Sequence, residues 1–202
     1  MNQKERIILA TLELAAEHGL GSVSMSMIAD KLGIRKPSLY NHFESKEAII
    51  DAMYHFLRES SRQKVSSANI DLGQLVKGRT AEEVLLMTVG SYHSMNEQDD
   101  MMSFYKVIYS QRAVDPTAAG IMADETERMI LATKALFYAL HAHGKLDAPD
   151  IDTAALSFAM TVHGLMDYMH DCTNCGRASH SELLTDYIKW FCKQYGRNGN
   201  EG

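Results

Sequence analysis

Hydrophobic residues recur at every third or fourth position through most of this chain, which is the period of an amphipathic α-helix. Ile8, Leu12 and Ala15 show it in the first segment, which is predicted to end at Gly19. Further helices are predicted at 25–32, 36–42, 46–64, 81–95, 100–112, 116–144, 150–171 and 180–196. An alternating strand pattern does not stand out. The sequence therefore predicts an all-α protein of about nine helices.

Short polar residues and glycines divide these segments. Ser24 is placed as the N-cap of the second helix, and Gly33 follows that helix where a positive φ is wanted. Pro116 and Pro149 stand at helix starts, where proline costs least. Residues 65–80 hold Ser, Asn, Asp and Gly and are predicted to be an irregular connection.

The charge is distributed unevenly along the 202 residues. The net charge is −6, but residues 1–64 sum to +1 and residues 65–202 to −7. Overall acidity argues against nucleic acid as a partner, yet only the local field reaches a phosphate backbone. The first third can therefore still present a basic face.

Cellular context is indicated by three observations. No apolar run approaches the roughly 20 residues that span a bilayer, and the N-terminus leads into an amphipathic segment rather than a signal peptide. The chain has 3 cysteines, an odd count that is typical of a reducing compartment. We expect a cytoplasmic protein without a membrane partner.

Residues 24–46 carry the clearest chemistry. Two short helices joined by a three-residue turn have helix-turn-helix geometry, and Ala29 is small where they must cross. Ile34, Leu39 and Phe43 put apolar groups under the second of them. The positions left outside are Arg35, Lys36, Pro37, Ser38, Tyr40 and Asn41. Arg and Lys reach phosphate or guanine, and Asn pairs with adenine. The alternative is a three-helix unit whose polar face is merely solvated.

The run from Met27 to Glu47 reads Ile-Ala-x-x-Leu-Gly followed by Leu-Tyr-x-His-Phe-x-x-Lys. It resembles the DNA-binding domain of TetR/AcrR-family transcriptional regulators of bacteria, over residues 4 to about 55. The resemblance implies a DNA-binding domain at 1–47 and a helical effector-binding and dimerisation domain at 48–202. It implies that Arg35 to Asn41 enter the major groove. It further implies phosphate contacts by Ser24, Ser26, His42 and Lys46.

Two positions depart from the family pattern. Many relatives carry Ser or Thr at Arg35, where it caps the recognition helix, and Gly or Ala at Pro37. Here a cation replaces the cap, and an apolar ring replaces a backbone donor. Because of these departures, the operator sequence does not follow from the family pattern.

The last two predicted helices carry long apolar stripes, made of Phe158, Val162, Leu165 and Met169, and of Leu184, Ile188, Phe191 and Tyr195. Such stripes can form a four-helix bundle with a second copy of the chain. They can equally complete the core of one protomer. The family resemblance implies the homodimer.

The central helices are rich in Met and Tyr, which suit the wall of a pocket for a greasy or aromatic molecule. The candidate effector-binding residues are Met95, Met102, Tyr105, Tyr109, Arg112, Met129, Phe137 and His163. Arg112 can hold an anionic group or lie in solvent. A neutral or anionic amphipathic compound is favoured, and an ordinary core is the alternative.

A His/Cys cluster gives a second interpretation. His163, Asp167 and His170 lie at i, i+4 and i+7, and Cys172 and Cys175 form a lone Cys-x-x-Cys. These residues can bind a metal or sense redox state, or they can belong to a plain helix end. We assign no cofactor and keep this metal- or redox-responsive regulator as the alternative.

The sequence therefore predicts a transcriptional regulator and not an enzyme. Its expected partners are double-stranded operator DNA and a small-molecule effector, whose binding releases a repressor from DNA. An enzyme would leave the helix-turn-helix unexplained, since no nucleophile elbow, phosphate-binding glycine loop or HExxH motif is present. A helical partner-binding protein without a ligand is the third possibility.

Overall fold

The computed structural model describes residues 1–66, 71–96, 99–178, 180 and 182–197. Within these ranges, the side chains of residues 57, 58, 60–66, 95, 96, 99–102 and 104 lie outside the description.

The all-α prediction is confirmed. The described residues form ten α-helices, which are α1 Gln3–His18, α2 Met25–Leu32, α3 Lys36–Tyr40, α4 Lys46–Ser66, α5 Leu72–Val76, α6 Ala81–Asn96, α7 Asp99–Gln111, α8 Pro116–Ala142, α9 Ile151–Asn174 and α10 Glu182–Tyr195. A 3₁₀ turn, Leu20–Ser22, lies between α1 and α2. None of the described helices is long and apolar enough to cross a membrane.

The sequence missed α5. This helix lies in the stretch predicted to be irregular, and it begins because the Asp71 side chain accepts a hydrogen bond from the backbone N–H of Gln74. Its Val76 side chain is fully buried. A capped helix of five residues is too short for a periodic pattern to reveal.

The chain divides into two compact units. Unit 1 comprises residues 1–69 and 97–125, and unit 2 comprises residues 70–96 and 126–202. Helix α8 begins in unit 1 and ends in unit 2. The domain boundary after residue 47 stays a prediction.

The core of unit 1 joins the first helices to α7 and the start of α8. Ile7 from α1, Ile28 from α2, Leu39 from α3 and Ile49 from α4 are all fully buried in it, together with Ile108 from α7. Removing this apolar surface from water is the main stabilising contribution. The helix-turn-helix therefore shares one core with α4 and α7.

The core of unit 2 centres on an aromatic cluster. The ring centroid of Phe137 lies 5.3 Å from that of Phe158 and 5.6 Å from that of Phe191, and the latter two lie 5.0 Å apart. Phe137 is fully buried. Phe137 therefore belongs to the aromatic core of unit 2, and its assignment to an effector pocket stays a prediction.

The two apolar stripes also face this core. Six of the predicted interface side chains are between 1% and 6% exposed, namely Phe158, Val162, Met169, Leu184, Ile188 and Phe191. Leu165 is partly buried and packs against the same cluster. Side chains with so little surface left have almost nothing to bury against a partner. They pack in the core of the protomer, and their assignment to a dimer interface stays a prediction.

Candidate nucleic-acid interface

Helix α2 is set by caps at both ends, as the sequence predicts. The Ser24 hydroxyl accepts a hydrogen bond from the N–H of Met27 at 3.3 Å. At the other end Gly33 has φ 65°, in the left-handed region where glycine carries no Cβ penalty. The N–H of Ile34 donates to the carbonyl of Ala29 at 3.0 Å, which closes the turn. These local hydrogen bonds set the direction in which the chain enters α3.

Helix α3 is held by apolar residues on one side only. Leu39 is fully buried and Phe43, just beyond the helix, is 8% exposed. The opposite side consists of the six residues predicted to be outside, and all six are exposed: Arg35, Lys36, Pro37, Ser38, Tyr40 and Asn41. The predicted helix–turn–helix arrangement therefore presents a polar, cationic surface about one helical turn wide.

The recognition helix is short and has no side-chain cap. Arg35 occupies the N-cap position without a capping hydrogen bond, and Pro37 lies in the first turn. The helix ends at Tyr40, two residues earlier than predicted, and the backbone N–H groups of His42 and Phe43 both donate to the carbonyl of Leu39, at 3.0 and 3.1 Å. His42 consequently lies in the following turn and is half-buried.

The predicted phosphate contacts Ser24 and Ser26 lie at the start of α2, and both are exposed. The Ser24 oxygen accepts the helix cap bond, yet its hydroxyl hydrogen stays available to donate. A capping serine can therefore also contact a phosphate.

Lys46 has a structural partner that the sequence did not suggest. Its ammonium donates to the carbonyl of Gly21 at 3.2 Å, which ties the start of α4 to the 3₁₀ turn before α2. Ser45 caps α4 by accepting a hydrogen bond from the N–H of Ala48 at 3.1 Å. An ammonium has three N–H donors, so two remain for a phosphate.

Two further lysines flank this surface. The Lys4 ammonium lies 5.7 Å from the ring centroid of Phe43, within cation–π range beside the end of α3. The sequence analysis did not include Lys4 among the DNA-binding candidates, although the sequence places Lys4 in the first turn of the first helix. Lys31 pairs with Glu13 of α1 at 2.7 Å, and this hydrogen bond raises the pKa of the lysine. Lys31 therefore serves the packing of α2 on α1.

The predicted effector residues are divided between the two units, and their common pocket stays a prediction. Tyr105, Tyr109 and Arg112 belong to unit 1, where the two rings lie 6.1 Å apart edge to face and the guanidinium lies 4.3 Å from the Tyr109 centroid. Met129 and His163 belong to unit 2 and are half-buried. The side chains of the remaining two, Met95 and Met102, lie outside the described residues.

Unit 1 contains a cleft that the sequence did not predict. Its volume is about 290 Å³, and its described lining comes from α4 and the first turns of α8: Asp51, Tyr54, His55, Pro116, Thr117, Gly120, Ile121 and Asp124. None of these belongs to the predicted effector set. Two features of the sequence could have indicated this cleft: Asp51 and His55 lie one helical turn apart, and Gly120 interrupts a helical pattern.

A buried tyrosine ties the two walls of this cleft together. Tyr54 of α4 is 2% exposed, and its hydroxyl donates to Asp115 at 3.2 Å. Burial and the neighbouring Asp115 carboxylate raise the pKa of Tyr54 far above its usual range. The other oxygen of Asp115 accepts the N–H of Thr117 at 2.8 Å and so caps α8. One carboxylate therefore fixes both the start of α8 and its contact with α4.

The His/Cys cluster does not form a metal site in the described part of the chain, which holds no group of three or more His, Cys, Asp or Glu placed around one ion. His163 and Asp167 do approach within 3.8 Å of each other. Cys172 is buried, whereas Cys175 is exposed and donates through its thiol to the Cys172 carbonyl at 3.4 Å. The predicted metal candidates, His170 included, are thus not brought together.

Comparison with known proteins covers both parts of the chain. Residues 7–53 match the family model of bacterial regulatory proteins of the tetR family, and residues 83–197 match the C-terminal domain of AefR-like transcriptional repressors. The class G tetracycline repressor of Vibrio anguillarum is 36% identical over 69 residues, which are 34% of this chain and 33% of that protein. The chain thus spans about a third of the length of this curated relative.

Solved structures extend the likeness to the whole fold. A Mesorhizobium loti protein assigned to the TetR family superposes with a TM-score of 0.71 at 19% identity, covering 96% of each chain. The complex of SmeT with triclosan superposes with a TM-score of 0.67 at 15% identity, covering 97% of this chain and 92% of that one. With a capped helix-turn-helix that exposes a cationic face, and with both parts matching the family's models, this chain belongs to the tetR family of bacterial regulatory proteins.

Proposed function

We propose that this protein is a transcriptional repressor that binds double-stranded operator DNA through α3 and is released by a small molecule. One observation supports the DNA-binding part: Leu39 and Phe43 anchor α3 in the core, while five neighbouring polar residues and Pro37 stay exposed. A rigidly seated helix with a cationic outer face fits the major groove. Catalysis plays no part in this proposal, and a regulator of this kind acts in the cytoplasm, where the chromosome lies.

Each exposed residue has a contact that its chemistry favours. Arg35 and Lys36 reach phosphates or the O6 and N7 acceptors of guanine, and Asn41 pairs with the N6 and N7 of adenine. The Pro37 ring suits a thymine methyl group. Tyr40 and Ser38 donate to phosphate or base edges. Backbone contacts come from Ser24, Ser26, His42 and Lys46, and they fix the register of the protein on the duplex.

The face of α9 opposite the buried stripe supports a homodimer. Leu156, Met160 and Tyr168 are 44%, 43% and 45% exposed, and they follow one another at spacings of four and eight residues. Gly164 falls in the same row, and a Cβ built there meets nothing within 4 Å. An exposed apolar row with a glycine in it allows a second helix to approach closely. We therefore place the partner subunit on this face rather than on the buried stripes.

Helix α10 extends this surface. Trp190 is 54% exposed and stacks on Tyr187 with ring centroids 6.0 Å apart. The Tyr187 hydroxyl in turn interacts with the side chains of Thr161 and Ser157 on α9. Tyr187 therefore links Trp190 to α9. A dimer formed here presents two copies of α3, which successive major grooves accept at about 34–36 Å.

The dimer is tested by sedimentation velocity of the full chain. We expect a dimer for the wild type and a monomer for Met160→Glu, because the charge would be buried against the partner. Ala119→Glu adds the same charge to an exposed position of α8 and is the matched control. A wild-type protein that sediments as a monomer at micromolar concentration contradicts the proposal.

The DNA-binding role is tested by selecting sequences from a random duplex library with the full chain. Tyr40→Ala should weaken binding to the selected duplex by about ten-fold or more, as expected for the loss of one good base or phosphate contact. Tyr138→Ala is the control, because Tyr138 is 51% exposed against 47% for Tyr40 but lies in α8 of unit 2. Equal affinities for both variants would remove Tyr40 from the interface.

Effector binding is proposed from the family and its fold neighbours. SmeT, which shares the fold, forms a complex with triclosan. A ligand that binds one conformation of the dimer better shifts the population toward it. If that conformation spaces the two α3 helices wrongly, DNA is released.

A further inference from the structure

Two cysteines lie one helical turn apart at the C-terminal end of α9, in unit 2. Cys172 is in the last turn of the helix and is 2% exposed, whereas Cys175 is the C-cap residue and is exposed. The Cys175 thiol donates to the carbonyl of Cys172 at 3.4 Å, so its sulfur points back toward the residue one turn earlier. The chain therefore holds a protected thiol next to an accessible one.

The backbone at the helix end fixes the spacing of this pair. The N–H of Cys175 donates to the carbonyl of Asp171 at 3.0 Å, and the N–H of Arg177 donates to that of Cys172 at 2.8 Å. Gly176, with φ 72°, makes the left-handed turn between them. Residues three apart in an α-helix have Cα atoms about 5 Å apart, within the range of about 4.4–6.8 Å that a disulfide spans. The spacing therefore permits a bond between the two sulfur atoms.

Tyr168, one turn before Cys172, connects the cysteine pair to the exposed row of α9 that contains Met160. A hydrogen bond with the Cys172 side chain raises the pKa of Tyr168, which keeps its hydroxyl protonated and able to donate. The His180 ring stacks on the Tyr168 ring, with centroids 6.2 Å apart and planes 6° apart. Tyr168 is 45% exposed, on the face where the partner subunit is placed above. A chemical change at Cys172 therefore reaches the proposed dimer face.

We propose that Cys172 and Cys175 form a reversible disulfide on reaction with hydrogen peroxide, and that this modification weakens the dimer. The formation of the disulfide is independent of the function proposed above, but its regulatory meaning rests on the homodimer proposed there. The bond draws the Cys172 sulfur toward Cys175 and so removes its hydrogen bond with Tyr168.

The chemistry takes two steps. The thiolate of exposed Cys175 attacks one peroxide oxygen and breaks the O–O bond, which gives a sulfenic acid and a hydroxide ion. The Cys172 thiolate then forms the S–S bond at the Cys175 sulfur and displaces a second hydroxide. The two thiol protons neutralise the hydroxide ions, so two thiols are oxidised to one disulfide while one peroxide is reduced to two waters. Dithiothreitol reverses the change by thiol–disulfide exchange.

The disulfide is tested by mass spectrometry of the full chain after treatment with excess hydrogen peroxide, alkylation in denaturant and tryptic digestion. Cys172 and Cys175 fall in one tryptic peptide, residues 146–177, and Cys192 falls in another, residues 190–193. We expect the first peptide to lose the mass of two hydrogen atoms and to escape alkylation, while Cys192 is alkylated. Dithiothreitol should restore both thiols.

Two variants separate this pair from general thiol oxidation. Cys192→Ser is the matched control and should form the same disulfide as the wild type. Cys175→Ser should leave Cys172 open to alkylation, because the accessible thiol that reacts first is missing. The proposal is overturned if both cysteines of the wild type stay alkylated after peroxide, or if Cys175 is oxidised while Cys172 stays free.

Sedimentation equilibrium of the reduced and oxidised chains measures the effect on the dimer. Oxidation should raise the dimer dissociation constant of the wild type by about ten-fold, since each protomer loses one hydrogen bond at the dimer face, and it should not change that of Cys175→Ser. An unchanged dimer after complete disulfide formation overturns the regulatory effect. A reduced wild type that is already monomeric refutes the proposed dimer and leaves the disulfide standing.

Discussion

Lys46 allows the DNA-facing surface to be tested without knowing the operator. Lys46→Gln removes the charge and retains an amide N–H that can donate toward Gly21. The bond it replaces is an exposed hydrogen bond of 3.2 Å. Losing that bond entirely would cost at most about 1 kcal/mol of the free energy of unfolding, so the variant stays folded. Its effect on DNA binding is then electrostatic.

The magnitude follows from counterion release. Each phosphate that a protein neutralises on B-DNA contributes about −0.9 to the slope of log K against log salt concentration. A dimer carries two copies of Lys46, so the slope of Lys46→Gln should be shallower by about 1.8. Fluorescence anisotropy with a labelled random-sequence duplex, titrated at several KCl concentrations, measures this slope.

Lys31→Gln is the matched control. Lys31 also lies in the helix-turn-helix, but its ammonium is 2.7 Å from the Glu13 carboxylate of α1. Its removal should lower stability slightly and leave the slope nearly unchanged. A wild-type slope for Lys46→Gln, or an equal decrease in slope for both variants, would show that Lys46 does not contact phosphate.

Three further predictions concern the fold and its titratable groups. Phe137→Ala should lower the free energy of unfolding, measured by urea titration, by about 3–5 kcal/mol, because the ring fills the aromatic core. A loss under about 1 kcal/mol would contradict core packing. Hydrogen bonds from Thr153 lower the pKa of the Asp150 carboxyl, so its stabilising effect is present above the unfolded pKa of about 3.9 and is lost as the pH falls through the folded pKa. Asp150→Asn should therefore differ from the wild type in urea midpoint near neutrality and converge with it in acid, and a difference that grows in acid would reverse the sign. Burial raises the pKa of the Cys192 thiol to about 11. Ellman's reagent at neutral pH should therefore modify the exposed Cys175 first. Modification of Cys192 at the same rate would argue against its burial.

Sequence alone determined those features that short-range physics controls. The cap at Ser24, the left-handed turn at Gly33 and the exposed face of α3 all depend on residues within about ten positions of one another. Hydrogen bonds and steric limits over such spans are nearly independent of the rest of the fold. For the same reason the pattern identified the all-α class and the family motif.

The tertiary structure decided what each apolar face packs against. Periodicity shows that the stripe containing Phe158 and Val162 is buried, but it does not distinguish a protomer's own core from a partner subunit. It also gave no weight to the opposite row containing Met160, because scattered exposed apolar residues are common. The cleft was beyond reach of any local pattern, since Asp51 and Gly120 are brought to it from helices separated by three others in the chain. Only the folding of α4 against α8 creates that surface.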